Sequence, residues 1–294
     1  MMFMNFDERV AAHLGRMSAA EQRVARVFQE NREEVLFASA AALATKAATS
    51  DATVVRATKA LGFKGMDELR RSIAEELKQN ASLSSRLAET LREARNDLGA
   101  SFNLVIDTHL DALGNIRRDL SVGLFEEAVS LIAGARRVVI FGIGPSGALA
   151  LYFAMQLERL GLDAMTMTQT GRLFADDLHR LRSGDVLIAM AYSQIYRELD
   201  VLLDEGDRLG IAKIVVTDSL GGSLRPRVDI VLPVERGRAD MLSMHTATLG
   251  ALEALLVGIA VKRPESAMQS LESLNRLRGE IGAEERGRST DDAR

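Results

Sequence analysis

The chain has 294 residues, of which 47% are hydrophobic and 27% are charged, and its formal net charge at pH 7 is −4. This composition is typical of a packed protein with a charged surface, and the length allows two domains of ordinary size. The chain has no cysteine, which excludes disulfides, a thiol redox sensor and metal sites with cysteine ligands. The negative charge argues against a protein that coats nucleic acid indiscriminately, although a sequence-specific binder needs only a basic docking face.

The N-terminal segment lacks the features of a signal peptide. Asp7 and Glu8 occur early, and no apolar stretch is followed by a small-residue cleavage site. No apolar run reaches the roughly 20 residues that a membrane helix needs. The longest run, over 249–261, contains Glu253. Together with the absence of cysteine, these features predict a cytoplasmic protein without membrane contact.

The N-terminal part has the pattern of three short amphipathic helices. Ser18 and Glu21 have the spacing of a capping box. Ser39 precedes a second helix over 40–46, and Ser50 is the expected N-cap of the third. The tight turn between the second and third helices favours a helix-turn-helix, in which one helix enters a DNA major groove while the other braces it. A three-helix bundle without a DNA-binding role remains the alternative.

The third helix is expected to present a basic face to DNA. Its spacing places Val54 inward and Arg56 and Lys59 outward. The residues expected to contact DNA are Ser50, Thr53, Val55, Arg56, Lys59 and Lys64.

Four segments of this region match one known sequence pattern: Glu33–Leu36, Ala41–Ala44, Ser50–Arg56 and Leu61–Gly65. Together they resemble the N-terminal domain of the RpiR/MurR-type bacterial transcriptional regulators, a resemblance that implies binding to double-stranded operator DNA. Ala48 stands where that family usually has the turn glycine, and Ala57 where it usually has an aromatic residue. We expect Ala48 to bear a backbone angle that glycine takes freely, at a cost of about 1 kcal/mol.

The pattern beyond this region predicts a second, α/β domain. The helix-turn-helix domain is expected over 1–80, a polar linker over 81–100, the second domain over 101–278 and a disordered tail over 279–294. Within the second domain, short apolar runs predict five strands: 138–141, 164–167, 186–189, 214–216 and 230–232. Because helical segments separate the first four, the runs favour a doubly wound parallel sheet. A last long helix is predicted over 241–261.

The candidate ligand site lies at the strand ends, because open parallel sheets bind ligands at the carboxyl ends of their strands. A glycine-rich loop follows the first strand, and hydroxyl side chains follow the third and fourth. Hydroxyls beside a helix N-terminus suit a phosphate or a similar anion. The expected ligand-binding residues are Gly142, Gly144, Ser146, Gly147, Ser193, Gln194, Tyr196, Thr217 and Ser219.

The glycine-rich loop also fits the dinucleotide fingerprint G-x-G-x-x-G. The nicotinamide-binding form requires an acidic residue at the end of the second strand. Thr168 and Gln169 follow that strand, whereas Asp163 precedes it. A nicotinamide-sensing repressor therefore remains one alternative, and glycines and serines that act only as turn residues are another.

Residues 124–256 resemble a sugar isomerase (SIS) domain, the phosphosugar-binding module that RpiR/MurR-type regulators carry after their helix-turn-helix. In that family the loop after the third strand usually reads Ser-Gly-x-Thr or Ser, then a Glu two residues on. Ser193 and Glu198 are kept here, but Gln194 replaces the glycine and Tyr196 replaces the phosphate-binding hydroxyl. The resemblance implies a small anionic, sugar-phosphate-like effector, and Tyr196 is expected to restrict the volume of its pocket.

No catalytic residue, cofactor or metal site is predicted. The four histidines are far apart in the sequence, whereas a metal site needs clustered ligands. An aldose–ketose isomerase, the enzymatic alternative, finds only His245 or Glu253 as a base, and Glu253 is expected to face solvent or a dimer interface. Arg236, Arg238 and Asp240 predict a solvated loop or a ligand lid. The sequence as a whole favours a ligand-responsive transcription factor that forms a homodimer or homotetramer.

Overall fold

A computed structural model describes residues 6–79 and 82–291 of the protein. The chain divides into two compact units. A helical unit extends to Asn96 and includes Ala239–Leu242, and an α/β unit consists of Asp97–Arg238 and the chain from Ser243 onward. Among the described residues, no helix is both long and apolar enough to span a bilayer.

The helical unit is built from seven helices in the described part of the chain. They are α1 (Phe6–Leu14), α2 (Ala19–Glu30), α3 (Arg32–Phe37), α4 (Ala40–Lys46), α5 (Asp51–Ala60), α6 (Met66–Gln79) and α7 (Leu83–Glu93). The sequence pattern predicts α2, α4 and α5, and the structure confirms these three helices. It predicts neither α1 nor the six-residue α3.

The three predicted helix starts are confirmed, and two of them have side-chain caps. The Ser18 hydroxyl accepts from the Glu21 backbone N–H, and the Glu21 carboxylate accepts from the Ser18 N–H, so the capping box is complete. Ser39 caps α4 by accepting from Ala42 N. Ser50 is the N-cap residue of α5, but its Oγ lies 3.0 Å from Thr53 Oγ1 and makes no cap bond.

The turn between α4 and α5 has the strain that the sequence predicts. Ala48 has a φ of +48°, in the left-handed region that glycine tolerates better than alanine. Arg23 of α2 holds this turn, because its Nε donates to Ala47 O at 3.1 Å and its Nη2 donates to Ala48 O at 3.2 Å. The small, buried Ala44 and Ala47 let the helices approach closely at the same point.

Replacing Ala48 with glycine should stabilise the helical unit, because glycine adopts the observed φ without a Cβ clash. We expect the free energy of unfolding to rise by up to about 1 kcal/mol, measured by denaturant titration. The matched control is Ala88→Gly, at an exposed position inside α7. That change should lower the free energy of unfolding by about 1 kcal/mol, and a loss of stability in both variants would contradict the strain at Ala48.

The predicted linker over 81–100 contains regular structure. Its residues include α7 and the first turn of the next helix, α8 (Leu98–Asp119), which Asp97 caps by accepting from Ala100 N at 2.7 Å. The division between the two units falls between Asn96 and Asp97. The domain end predicted near residue 80 lies outside the described residues.

The α/β unit is a doubly wound parallel sheet, as predicted. Its strands are β1 (Arg137–Phe141), β2 (Ala164–Met167), β3 (Asp185–Met190), β4 (Ala212–Thr217) and β5 (Ile230–Pro233), in the order β2-β1-β3-β4-β5 with every pair parallel. Its further helices are α9 (Val122–Ala133), α10 (Pro145–Arg159), α11 (Phe174–Leu178), α12 (Arg197–Leu209), α13 (Gly221–Leu224), α14 (Thr246–Lys262) and α15 (Pro264–Asp291).

Alternate residues of each central strand enter different cores. Val138 and Ile140 of β1 pack into a core with α9, α10 and α14, whereas Val139 and Phe141 pack into a second core with α11 and α12. Both faces of the sheet are therefore buried, which explains why the strands are almost continuously apolar.

Two helix boundaries differ from the prediction. The last long helix is predicted from residue 241, but α14 begins at Thr246, because the backbone N–H of Met244 donates to Arg236 O instead of joining a helical ladder. Helix α15 continues to Asp291, beyond the domain end predicted at residue 278 and into the segment predicted to be disordered. No proline interrupts this stretch, and the remaining tail residues, 292–294, lie outside the described part of the chain.

Candidate functional site

The candidate DNA-binding face lies on α5. Val54 is fully buried, as predicted, while Val55, Arg56 and Lys59 are exposed. Ser50 at the start of the helix is exposed as well, and so is Lys64 in the turn that follows it. These exposed side chains define the candidate DNA-binding surface, which is partly basic.

Thr53 does not share that surface, because it is 4% exposed. Its Oγ1 accepts from Arg56 Nη2 at 2.9 Å. The Arg56 Nε also lies 3.9 Å from Glu21 of α2. The pKa of Glu21 is lowered, mainly by the hydrogen bond from the Ser18 backbone and further by the Arg56 charge. Thr53 and Glu21 therefore orient the Arg56 guanidinium across the exposed face.

In the α/β unit, the chain turns sharply from β1 into α10. Gly142 is essential to this turn, since a Cβ there would lie 2.6 Å from the backbone oxygen of Ser146. Gly144 is the N-cap residue of α10 and has a φ of +62°. A Cβ on Gly147 would lie 3.1 Å from Gly142 O. The glycines thus bring the N-terminus of a 15-residue helix directly against a strand end, a geometry that suits anions.

The loop after β3 contains a strained residue. Ser193 has a φ of +60°, and the backbone N–H of Gln194 donates to Tyr192 O at 2.6 Å, which closes a γ-turn around Ser193. This φ is unfavourable for a residue with a Cβ, and strain of this kind is concentrated at functional sites.

Arg236, after β5, connects three of the strand ends. Its Nη2 donates to Ser193 Oγ at 2.8 Å, and its Nε donates to the Asp218 carboxylate at 3.0 Å. The guanidinium lies 4.1 Å above the Tyr192 ring. Ser219 Oγ in turn donates to Asp218 at 2.9 Å. The Arg236 side chain is only 15% exposed, so this is a largely enclosed cation among polar groups.

A second layer of contacts supports this cluster. The Tyr192 hydroxyl and Thr248 Oγ1 lie 2.7 Å apart, and the His245 ring meets the Tyr192 ring edge-on with centroids 5.7 Å apart. Burial raises the pKa of the Tyr192 phenol, so it stays protonated. Burial, and then the charge of Arg236, lowers the pKa of His245, which favours a neutral imidazole at neutral pH.

Three other predicted ligand-binding residues differ in their exposure. Thr217 is buried, and its Oγ1 accepts from Leu220 N at 3.1 Å, so it supports the turn after β4. Gln194 and Tyr196 are exposed, with Tyr196 at the N-cap of α12. Their role as pocket-lining residues stays a prediction.

The glutamate kept from the family pattern has a defined partner. Glu198 accepts from Gly171 N at 3.0 Å, and this bond is the main reason that its pKa is lowered. Glu198 therefore connects the first turn of α12 to the loop after β2.

Sequence reasoning did not select Asp218 as a ligand-binding residue, and it placed Arg236 only in a solvated loop or ligand lid. Asp218 directly follows β4, so the rule used for Ser193 and Ser219 would also have selected it. Arg236 follows β5, whose carboxyl end carries the same signal. Only the tertiary structure, however, shows that Arg236 reaches back to Ser193.

The groups needed by the alternative functions are placed unfavourably. Glu253 is exposed and accepts from the Tyr152 hydroxyl at 2.8 Å, so it is not a buried base. Thr168 follows β2, where a dinucleotide site would place a carboxylate, and its Cγ2 lies 3.4 Å from the position that a Cβ on Gly147 would take. Within the described residues, no three His, Cys, Asp or Glu side chains are grouped to hold a metal ion.

Comparison with known families identifies both domains. Residues 4–80 match the helix-turn-helix domain of the rpiR family, and residues 131–258 match the SIS domain. The chain is similar to the HTH-type transcriptional regulator HexR of Pseudomonas aeruginosa, at 26% identity over 266 residues that cover 88% of this chain and 90% of HexR.

A second relative is longer than this chain. The chain is 26% identical to the bifunctional protein glk of Paraburkholderia xenovorans over 281 residues, which cover 92% of the chain but only 42% of that protein. The chain thus spans less than half the length of this relative.

Solved structures agree with the fold. The sugar isomerase domain of an RpiR transcription factor from Sphaerobacter thermophilus covers 58% of this chain at 25% identity, with a TM-score of 0.54. The Vibrio vulnificus NanR protein, solved in complex with ManNAc-6P, covers 93% of this chain at 20% identity, with a TM-score of 0.55. At that identity, the likeness to NanR concerns the fold alone.

Proposed function

We propose that this chain, which combines an rpiR-family helix-turn-helix domain with a SIS domain, is a DNA-binding transcriptional regulator controlled by a small anionic metabolite. The observation that carries the proposal is the polar cluster of Ser193, Asp218 and Arg236 at the strand ends, in a chain that also presents Arg56 and Lys59 on a helix-turn-helix. Such a regulator needs an effector with different affinities for its two functional states.

The DNA-binding part of the proposal rests on the exposed face of α5. Arg56 and Lys59 are one helical turn apart and accessible, so both can reach one groove. Thr53 acts in this proposal as a positioning residue for Arg56 through the bond at 2.9 Å, while Ser50, Val55 and Lys64 contribute to the contact surface.

Replacing Arg56 and Lys59 together with alanine should weaken sequence-specific DNA binding. We expect a loss of about 1–3 kcal/mol for Arg56 if it contacts a base, with a further loss for Lys59. The affinity is measured at constant salt on duplexes that the wild-type protein has enriched from a random pool. Arg92→Ala, at an exposed arginine of α7, is the control. Equal affinities of the double variant and the wild type would remove α5 from the DNA interface.

The effector part of the proposal rests on the polar cluster at the strand ends and on the groups beside it. Hydroxyls of Ser146, Ser193 and Ser219, the N-terminus of α10 and a guanidinium suit a phosphate or carboxylate group. The sugar phosphate named in the NanR complex, ManNAc-6P, carries such a phosphate group. A thermal-shift screen of phosphosugars, sugar acids and inorganic anions tests this part, followed by DNA binding with and without the stabilising compounds. Stabilisation without a change in DNA affinity would contradict a regulatory role.

The chain is proposed to have no enzymatic activity. HexR is a named regulator among its relatives, and the exposed position of Glu253 weakens the isomerase alternative. Assays of aldose–ketose conversion on common phosphosugars test this directly, and turnover that disappears in Glu253→Gln would reinstate the enzyme. The whole protein is proposed to act in the cytoplasm.

A homodimer or homotetramer is proposed from the surface of the α/β unit. Large apolar side chains are exposed on its helices, namely Leu151, Met155, Val257, Val261 and Met268. Exposed apolar side chains on packed helices are typical of association surfaces.

A further inference from the structure

We propose that Arg236 is the residue that binds the charged group of the effector, and that Asp218 weakens this interaction so that only strongly anionic ligands are held. This inference rests on the proposed function and names the residue whose charge selects the effector. It concerns a phosphate or carboxylate oxyanion, the shared chemistry of sugar phosphates and sugar acids.

The position of Arg236 carries the inference. Its Nη2 is bonded to Ser193 Oγ at 2.8 Å, so any oxyanion that accepts from the Ser193 hydroxyl lies within reach of the guanidinium. The side chain is held from two further directions, by Asp218 at 3.0 Å and by the Tyr192 ring at 4.1 Å. An arginine oriented in this way loses little conformational freedom on binding a ligand.

The strain at Ser193 is an independent observation. Its φ of +60° places the hydroxyl-bearing residue in a conformation that glycine would adopt more easily. A serine at this position therefore carries a conformational cost that a function of its hydroxyl would explain. That hydroxyl accepts a hydrogen bond from Arg236. The strained residue and the enclosed cation therefore mark the same point in the site.

Asp218 sets how much negative charge a ligand needs in order to bind Arg236. The Asp218 carboxylate neutralises the guanidinium at 3.0 Å and is itself held by Ser219 at 2.9 Å. A neutral sugar has no charge with which to compete for Arg236, whereas an oxyanion can form charge-assisted hydrogen bonds with it.

The experiment is calorimetric titration of the full chain with inorganic phosphate, glucose 6-phosphate, gluconate and uncharged glucose at constant ionic strength. We expect Arg236→Gln to weaken binding of the tightest anion about tenfold to hundredfold, and Arg236→Lys to weaken it less. Asp218→Asn should strengthen binding in the wild-type background but not beside Arg236→Gln. The phosphate and carboxylate probes distinguish the two sources of the oxyanion.

The control is Arg227→Gln, which removes a comparable ion-paired arginine beside α12, bonded to Asp200 at 2.6 Å and Asp204 at 2.8 Å. It should leave every affinity unchanged. Anion binding as tight in Arg236→Gln as in the wild type overturns the inference alone. Binding that depends on Arg236 but does not alter DNA affinity overturns the proposed function alone. A wild-type protein that binds none of the anions overturns both.

Discussion

Replacing Ser193 with alanine or with glycine should weaken binding of the effector anion by one to two orders of magnitude. Both changes remove a hydroxyl at the strand-end site, and a hydrogen bond to a charged group contributes about 1.5–3 kcal/mol. Binding is measured by calorimetry with the anion that stabilises the wild-type protein most.

The stability of these two variants should differ. Alanine retains a Cβ at the φ of +60°, whereas glycine adopts that φ without strain. Ser193→Gly should therefore be more stable to denaturant than Ser193→Ala, by about 1 kcal/mol. Anion binding that survives in both variants would exclude the Ser193 hydroxyl from the site, and equal stabilities would show that the γ-turn relaxes.

Replacing Gly142 with alanine should destabilise the α/β unit strongly. The new Cβ would lie 2.6 Å from Ser146 O and 3.1 Å from Gly147 N, which are backbone atoms that cannot rotate away. The turn into α10 must shift, and we expect the free energy of unfolding to fall by about 1–3 kcal/mol. Anion binding should be lost with it, because the same turn positions the N-terminus of α10.

Two other glycines serve as controls for this prediction. Gly144→Ala meets no atom within 4 Å, but its φ of +62° and ψ of −133° lie in a region open almost only to glycine, so it should lose about 1–3 kcal/mol through backbone strain alone. Gly114→Ala, in an open position within α8, should gain about 0.5–1 kcal/mol. Chemical denaturation monitored by circular dichroism measures all three variants. A Gly142 variant as stable as the Gly114 variant would show that the close approach does not constrain the turn.

The sheet could be predicted from the sequence because its chemistry is local. Each strand is buried on both faces, so an apolar run such as Ala164–Met167 marks a strand without information from the rest of the chain. The helix-turn-helix was predictable for a similar reason, since Ser39 and Ser50 mark helix starts. The short α3 has too few residues to show a clear periodicity, and α1 begins within the first residues of the chain.

The site was only partly predictable because some of its contacts join distant segments. Ser193 and the glycines follow strands directly, so the position of each strand end is enough to select them. Arg236 enters the site from the loop after β5, and its bond to Ser193 spans 43 residues. Thr53 was assigned to the outer face because only Val54 was considered inward, whereas the buried side of α5 includes Thr53, Val54, Ala57 and Thr58.

The strand order has a consequence for how the protein folds during synthesis. Strand β1 pairs with both β2 and β3, so its inner pairing with β3 forms only after the intervening β2 and its flanking helices have been made. Parallel pairings of this kind close long loops and form slowly. Helices α2, α4 and α5, by contrast, contact one another within the first 60 residues. The nascent chain should therefore assemble the helices of its helix-turn-helix domain on the ribosome while the sheet is still incomplete. The unpaired apolar strands are then the part of the chain most exposed to aggregation.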